Sequence, residues 1–124
     1  MVALDTSSIV AYLAGEEGED VRSVDFALEN EQGVLPPAVL TELLSEREVH
    51  GRAATTILSI PQLAILENYW ERAGQLRAQL RRLGLKAKFA DTLIAQSCLD
   101  HNVALITRDR DFRHFARHAG LRLQ

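Results

Sequence analysis

The stretch MVALDTSSIVAYLAG, residues 1–15, contains the unit that decides the fold. Its first four residues are apolar, as expected of a short buried strand, and this strand ends at Asp5. A helical pattern follows, with Thr6 or Ser7 suited to cap its N-terminus and Gly15 suited to end it. A strand that leads directly into a helix is the repeating unit of a parallel α/β sheet.

Strands and helices alternate along the rest of the chain. Four more segments are predicted as strands: VLP (34–36), QLAILE (62–67), VALIT (103–107) and LRL (121–123). Helical patterns separate them, at residues 20–32, 37–50, 69–84, 88–102 and 110–120, with a weaker one at 52–60. Gly33 and Gly51 are expected to end the second and third helices. We therefore predict one α/β domain over residues 1–124, with a mostly parallel central sheet of about four to five short strands flanked by helices on both sides.

Composition places the chain among ordinary globular proteins, because 47% of its residues are hydrophobic and 25% are charged. The single cysteine, Cys98, cannot form an internal disulfide. No apolar run approaches the roughly 20 residues that cross a bilayer, and the N-terminus lacks the basic segment of a signal peptide. We expect a reduced, cytoplasmic setting and no membrane association.

The charges are distributed unevenly along the chain. Residues 1–67 carry twelve acidic and three basic side chains, a net charge of −9, whereas residues 68–124 carry five acidic and eleven basic ones, a net charge of +6. This asymmetry suits an electropositive surface that binds a polyanion. It is also typical of solvated helix faces that partly neutralise one another in the fold, and charge alone favours this second interpretation.

Two aspartates follow predicted strands. Asp5 ends the first strand, and Asp109 comes shortly after VALIT, in TRDRDF (107–112). Ligands of open parallel sheets bind at the carboxyl ends of the strands, so these two side chains can share one crevice. Each aspartate, and Asp111 as well, also suits the N-cap of the helix that follows it.

Two further carboxylates lie on predicted helices. Asp91 falls inside an apolar stripe, where a carboxylate is costly unless it is paired or binds a metal; the stripe consists of Ala87, Ala90, Ile94, Ala95 and Cys98. The alternatives are a buried salt bridge or a wet position near the helix end. Glu42 lies at the edge of the stripe of its own helix, where periodicity does not distinguish it from Glu46.

Four carboxylates on separate elements of a short α/β domain can converge at one edge of the sheet. Like charges brought together raise each other's pKa, and a divalent cation removes that conflict. Ligands that are all oxygens suit Mg²⁺ or Mn²⁺. An acidic metal pocket beside a basic surface is the arrangement that a nuclease requires.

Three segments resemble the motifs of the PIN (PilT N-terminal) domain family, and within it the VapC-type ribonuclease toxins: VALDTSSIVAYL (2–13), LPPAVLTELLS (35–45) and KFADTLIAQSCLDHNVALITRDRDF (88–112). The resemblance covers essentially the whole chain. It assigns the family's acidic positions to Asp5, Glu42 rather than Glu46, Asp91 and Asp109, and it makes Asp111 an auxiliary acid.

The resemblance implies a Mg²⁺- or Mn²⁺-dependent endoribonuclease that acts as the toxin of a toxin–antitoxin pair. It also implies a homodimer, and a cognate antitoxin that covers the acidic pocket. In this scheme Asp5, Asp91 and Asp109 hold the metal, and Glu42 orients or deprotonates the attacking water. The hydroxyls of Ser7 and Thr107 are auxiliary groups that bond the carboxylates or, alternatively, make only local helix-cap and strand-end hydrogen bonds.

Basic residues of the second half are candidates for contacts with RNA phosphates: Arg77, Arg81, Lys86, Lys88, Arg108 and Arg110. Tyr69 and Trp70 can stack on bases, although packing in the core or in a dimer is the preferred interpretation.

Two other functions fit the fold class. One is a PIN-like domain that binds RNA or a protein partner without a toxin role, as in RNA processing. The other is an aspartyl-phosphate phosphotransfer domain, which is disfavoured because DTS (5–7) lacks the second aspartate of a DxD motif.

Overall fold

The computed structural model describes residues 1–124. Three short strands are present: β1 (Val2–Leu4), β2 (Gly33–Val34) and β3 (Ala104–Ile106). There are seven α-helices: α1 (Thr6–Leu13), α2 (Glu19–Glu29), α3 (Pro37–Ser45), α4 (Arg52–Ser59), α5 (Tyr69–Arg82), α6 (Phe89–His101) and α7 (Arg113–Ala119). A 3₁₀ turn at Arg110–Phe112 precedes α7. None of the helices has both the length and the apolar character that a bilayer span requires.

The sheet is parallel throughout, with the order β2-β1-β3. β1 is the central strand, and Val2 lies opposite Gly33 on one side and Ala104 on the other. Parallel neighbours require a helical crossover, which α1 and α2 supply between β1 and β2. The prediction of an α/β fold with a parallel sheet is therefore confirmed.

Two of the predicted strands contribute only single parallel bridges, Leu35 to Gln62 and Leu105 to Leu123. The segment 62–67 pairs with the sheet edge only at its start, where the Leu35 N–H donates to the carbonyl of Pro61 and the Leu63 N–H donates to that of Leu35. The rest of this segment leaves the edge, and its apolar side chains are exposed rather than packed on the sheet: Ile65 is 48% exposed.

Two predicted helix ends are wrong. Helix α2 ends at Glu29, and Gly33 belongs to β2, where a Cβ would lie 2.9 Å from a methyl group of Leu4. This glycine is therefore explained by the close approach of two strands, not by a helix terminus. Helix α3 ends at Ser45, and Gly51 precedes α4 with a φ of 58°.

The core fixes the segment that carries Asp109 and Asp111. Phe112 and Phe115 are fully buried in the core, with ring centroids 6.0 Å apart, so they anchor the 3₁₀ turn to the core. Cys98 is also buried, and burial raises the pKa of its thiol to about 12. Such a thiol packs in the core and is not nucleophilic.

Candidate active site

Four acidic side chains lie around the carboxyl ends of β1 and β3. Asp5 directly follows β1, Asp109 follows β3, Asp91 is in the first turn of α6, and Glu42 is in α3. The charges of Asp109, Asp5 and Glu42 all act on Asp91. The structure therefore brings the four acids that the sequence singled out to one edge of the sheet, where ligands of parallel sheets bind.

Asp5 is held rigidly by two hydroxyl groups. Its Oδ2 accepts hydrogen bonds from Ser7 Oγ at 2.6 Å and from Thr107 Oγ1 at 2.7 Å. Its backbone N–H donates to the carbonyl of Ile106 at 3.0 Å, and its side chain is 4% exposed. Asp5 also occupies the N-cap position of α1, but it makes no side-chain cap bond there. The hydroxyls of Ser7 and Thr107 thus bond a carboxylate of the cluster, as the first of the two interpretations from the sequence predicted.

Asp91 is buried without a partner. It is 8% exposed, and its Oδ2 has no hydrogen-bond donor. Burial raises its pKa to about 6, and the neighbouring charges of Asp109 and Asp5 act in the same direction. None of the salt bridges of the chain involves this carboxylate. A buried carboxylate oxygen without a partner destabilises the fold. A cation bound next to Asp91 Oδ2 would supply the missing partner.

Asp109 serves as a cap and as a member of the cluster. Its Oδ1 accepts the backbone N–H of Asp111 at 2.9 Å, which caps the 3₁₀ turn, and its own N–H donates to Thr107 Oγ1 at 3.0 Å. Carboxylate oxygens of Asp91, Asp109 and Asp111 lie within 4.8 Å of one another. The set spaced for one ion therefore contains Asp111, whereas the sequence placed Asp5 in the metal set and Asp111 outside it.

Two lysines lie at the rim of this cluster. The Nζ atoms of Lys86 and Lys88 are 3.3 Å and 3.4 Å from Asp111 Oδ2. The hydrogen bond from Lys86 is the main cause that lowers the pKa of Asp111, and the bond to Asp111 raises the pKa of Lys88. Both lysine side chains are more than half exposed, so they remain accessible to solvent while they contact Asp111.

Glu42 is oriented by a hydroxyl group that sequence reasoning missed. Thr6 Oγ1 donates to Glu42 Oε1 at 2.7 Å, joining the start of α1 to α3. Glu46, the competing candidate, is exposed at the C-terminal end of α3. The sequence offers no signal for the Thr6 contact, because Thr6 and Glu42 are 36 positions apart and their contact depends on how α1 and α3 pack together.

The candidate RNA-binding residues differ in their surroundings. Arg81 and Arg110 are exposed, as are Lys86 and Lys88. Arg77 is partly buried, and its Nε donates to the carbonyl of Ala87. Arg108 is bound to acidic side chains of the α1–α2 region.

An apolar cleft of about 290 Å³ lies beside Glu42. Its exposed aromatic residues are Trp70 and Phe89, at 58% and 65% exposure. Tyr69, by contrast, is buried and its hydroxyl donates to the carbonyl of Leu93, which confirms the preferred packing interpretation for Tyr69.

The model of the PIN domain family matches residues 2–118. The chain belongs to the PIN domain family. This confirms the sequence resemblance at the level of the family, and the parallel sheet with acids at its carboxyl edge agrees with it.

Solved structures with the same fold include VapBC2 from Rickettsia felis bound to a DNA fragment from its promoter, with a TM-score of 0.75 and 20% identity over 100% of this chain and 98% of that one. A toxin–antitoxin complex from Klebsiella pneumoniae has a TM-score of 0.70 and 20% identity over 98% and 95% of the two chains. VapBC-5 from Mycobacterium tuberculosis has a TM-score of 0.68 and 20% identity, also over 98% and 95%. At these identities the likeness shows the fold. A comparison with curated proteins gives no match.

The acid cluster of this PIN domain fits a divalent cation. Its ligands are carboxylate oxygens only, one of them is buried without a donor, and three lie close enough to share one ion. Hard oxygen ligands of this kind suit Mg²⁺ or Mn²⁺.

Proposed function

We propose that this PIN domain is a Mg²⁺- or Mn²⁺-dependent endoribonuclease that hydrolyses RNA phosphodiester bonds. The observation that carries the proposal is the unpartnered, buried Oδ2 of Asp91 among the carboxylates of Asp5, Asp109 and Glu42. Such an arrangement destabilises the folded chain unless a cation binds there, and a carboxylate with a strongly raised pKa is typical of functional sites.

The roles of the acids follow from their surroundings. Asp91 and Asp109 would hold the ion, with Asp111 or Asp5 completing the set directly or through water. A bound ion would lower the pKa of a water molecule and neutralise charge on the scissile phosphate. Glu42, oriented by Thr6, accepts a proton from the attacking water. Ser7 and Thr107 hold Asp5 in place.

The exposed basic residues near this edge provide the RNA-binding surface. Lys86 and Lys88 stand directly over the acids, and each can exchange its contact with Asp111 for an RNA phosphate. Arg81 and Arg110 are also exposed and are further candidates for phosphate contacts. Contacts of this kind give affinity and salt dependence but do not read the RNA sequence.

In the cell we propose that the chain acts in the cytoplasm as the toxin of a toxin–antitoxin pair. The support is the similarity over nearly the full length to chains of toxin–antitoxin complexes. A cognate antitoxin would then cover the acid cluster. A homodimer is supported by the exposed apolar side chains beside the site, which include Ile65, Leu66, Trp70 and Phe89.

A cleavage assay on single-stranded RNA with and without Mn²⁺ tests the proposal. Wild-type protein should cut only with the metal, and Asp5→Asn and Asp91→Asn should each lose most of the activity. Wild-type rates in both variants would show that the proposed site is wrong. RNA that is bound but never cut, by any form, would instead favour a binding domain without nuclease activity.

A further inference from the structure

Arg108, between Thr107 and Asp109, is bound to acidic groups at the start of α2. Its Nε lies 2.7 Å from Asp20 Oδ2 and its Nη2 lies 3.0 Å from Asp20 Oδ1, which makes a bidentate ion pair. Its Nη2 also donates to the carbonyl of Glu17 at 3.2 Å, and its Nη1 lies 3.4 Å from a carboxylate oxygen of Glu16. The guanidinium group is thus occupied on all three nitrogens.

The Asp20–Arg108 pair is connected to the acid cluster by a backbone hydrogen bond and by the residues on either side of Arg108. The backbone N–H of Arg108 donates to Ser7 Oγ at 3.3 Å, and the Ser7 hydroxyl is one of the two hydroxyl donors to Asp5. The preceding residue, Thr107, is the other donor to Asp5, and the following residue, Asp109, joins the cluster. A shift of Arg108 would therefore disturb Asp109 and the hydroxyl groups of Ser7 and Thr107 together.

Asp20 is itself fixed from two directions. Its Oδ2 also accepts the hydroxyl of Ser8, which is fully buried in α1. The bond from Arg108 holds the pKa of Asp20 down at about 2, so the pair stays ionised through the neutral range. At Gly18 a Cβ would lie 2.6 Å from Asp20 Oδ1 and 3.1 Å from Arg108 Nη2, so the loop before α2 leaves no room for a side chain against the pair.

We propose that the Asp20–Arg108 ion pair positions the metal-binding acids, by locking the segment 107–109 onto α1 and the start of α2. Arg108 is then a positioning residue and not the RNA phosphate contact that the sequence predicted. This inference rests on the proposed metal-dependent function. It assigns a role to Asp20, which lies outside the motif acids.

Mn²⁺ binding, measured by titration calorimetry without RNA, tests the proposal. Arg108→Ala and Asp20→Asn should each weaken Mn²⁺ binding about 10-fold, as loss of a supporting partner does at metal sites. The double variant should be no weaker than either single one, because both remove the same link. Arg108→Lys keeps the charge but loses the bidentate geometry, so it should resemble Arg108→Ala.

The matched control is Arg72→Ala, which breaks the ion pair between Arg72 of α5 and Asp100. Asp100 lies nine residues beyond Asp91 on α6, so this pair is distant from the acids. The control should lower the melting temperature by a similar amount and leave Mn²⁺ affinity unchanged. Equal losses of Mn²⁺ affinity in Arg72→Ala and Arg108→Ala would overturn the proposal, because the effect would then be one of general stability.

RNA binding separates positioning from phosphate contact. In EDTA, Arg108→Ala should leave the salt dependence of binding to a single-stranded RNA oligonucleotide unchanged. A slope reduced by about one, with tighter binding in Asp20→Asn, would assign Arg108 to RNA and overturn the proposal. Wild-type Mn²⁺ affinity in Arg108→Ala and Arg108→Lys would overturn it as well. Absence of Mn²⁺ binding by the wild-type protein would contradict the proposed function itself.

Discussion

The ionised side chain of Asp91 lowers the stability of the folded protein. Burial and the charges of Asp109 and Asp5 raise its pKa from 3.8 to about 6. The folded chain therefore binds a proton between these two values that the unfolded chain releases, and stability falls as pH rises through this window. At neutral pH the ionised carboxylate costs on the order of 3 kcal/mol relative to a protonated one. A cation bound beside Asp91 would offset this cost.

In EDTA, the free energy of unfolding of the wild-type protein should fall as pH rises from about 4 to about 6. Asp91→Asn removes the buried charge, so it should flatten this dependence and stabilise the metal-free protein at pH 8 by about 1–3 kcal/mol. Urea unfolding across the pH range measures both. Parallel curves for the two proteins would show that Asp91 is not the group that titrates.

Asp109 and Asp111 differ in how their charges are used. Asp111 is already paired with Lys86 and Lys88, whereas Asp109 lies beside the unpaired oxygen of Asp91 and bonds the 3₁₀ turn. Asp109→Asn should therefore reduce RNA cleavage about 100-fold and Asp111→Asn about 10-fold. Initial rates at saturating Mn²⁺ distinguish the two. Equal effects would mean that both aspartates bind the ion in the same way.

Sequence reasoning found those residues that break a local pattern. Asp91 was identifiable because a carboxylate inside the apolar stripe of a helix contradicts that helix's own periodicity. Asp5 and Asp109 follow predicted strands, but a helix N-cap explains each position equally well, and the resemblance to the PIN family is what selected Asp109 over Asp111. The proximity of Asp111 to Asp91 was not, since it depends on the 3₁₀ turn anchored by Phe112. No pattern in the sequence predicts the ion pair between Arg108 and Asp20, because the two residues are 88 positions apart.

At the scale of elements, short apolar runs predicted the parallel sheet and overestimated its extent. The core strands β1 and β3 are buried and were predicted correctly. The segment 62–67 is similarly apolar, but Ile65 and Leu66 are exposed, and Ile65 lines the cleft that contains Trp70. Alternation of apolar residues does not distinguish a buried strand from a segment whose apolar side chains remain on the surface.

Helices α1 and α3 are joined at the site by the bond from Thr6 to Glu42. Thr6→Val keeps the shape of the side chain and removes the donor. We expect kcat to fall about 10-fold with KM unchanged, while the free energy of unfolding changes by about 1 kcal/mol or less. Thr55→Val, which removes a hydroxyl bond within α4, is the matched control and should leave kcat unchanged. A change in KM alone would assign Thr6 to RNA binding.

At the scale of the whole molecule, the uneven charges are partly neutralised in the fold. Arg108 is paired with Asp20, Arg72 with Asp100, and the two lysines over the cluster with Asp111. Of the exposed basic side chains, those of Lys86 and Lys88 contact the acid cluster. In the proposed function, this positive charge would attract RNA toward the acid cluster.

The chemistry of the RNA ends tests the central claim most directly. If metal-activated water is the nucleophile, the ribose 2′-hydroxyl takes no part, and the products carry 5′-phosphate and 3′-hydroxyl ends. End-group analysis of RNA cleaved by the wild-type protein in Mn²⁺, with EDTA and Asp91→Asn as controls, should give these ends in the metal-containing wild-type reaction alone. Cyclic-phosphate ends, or cleavage that persists in EDTA, would contradict the account.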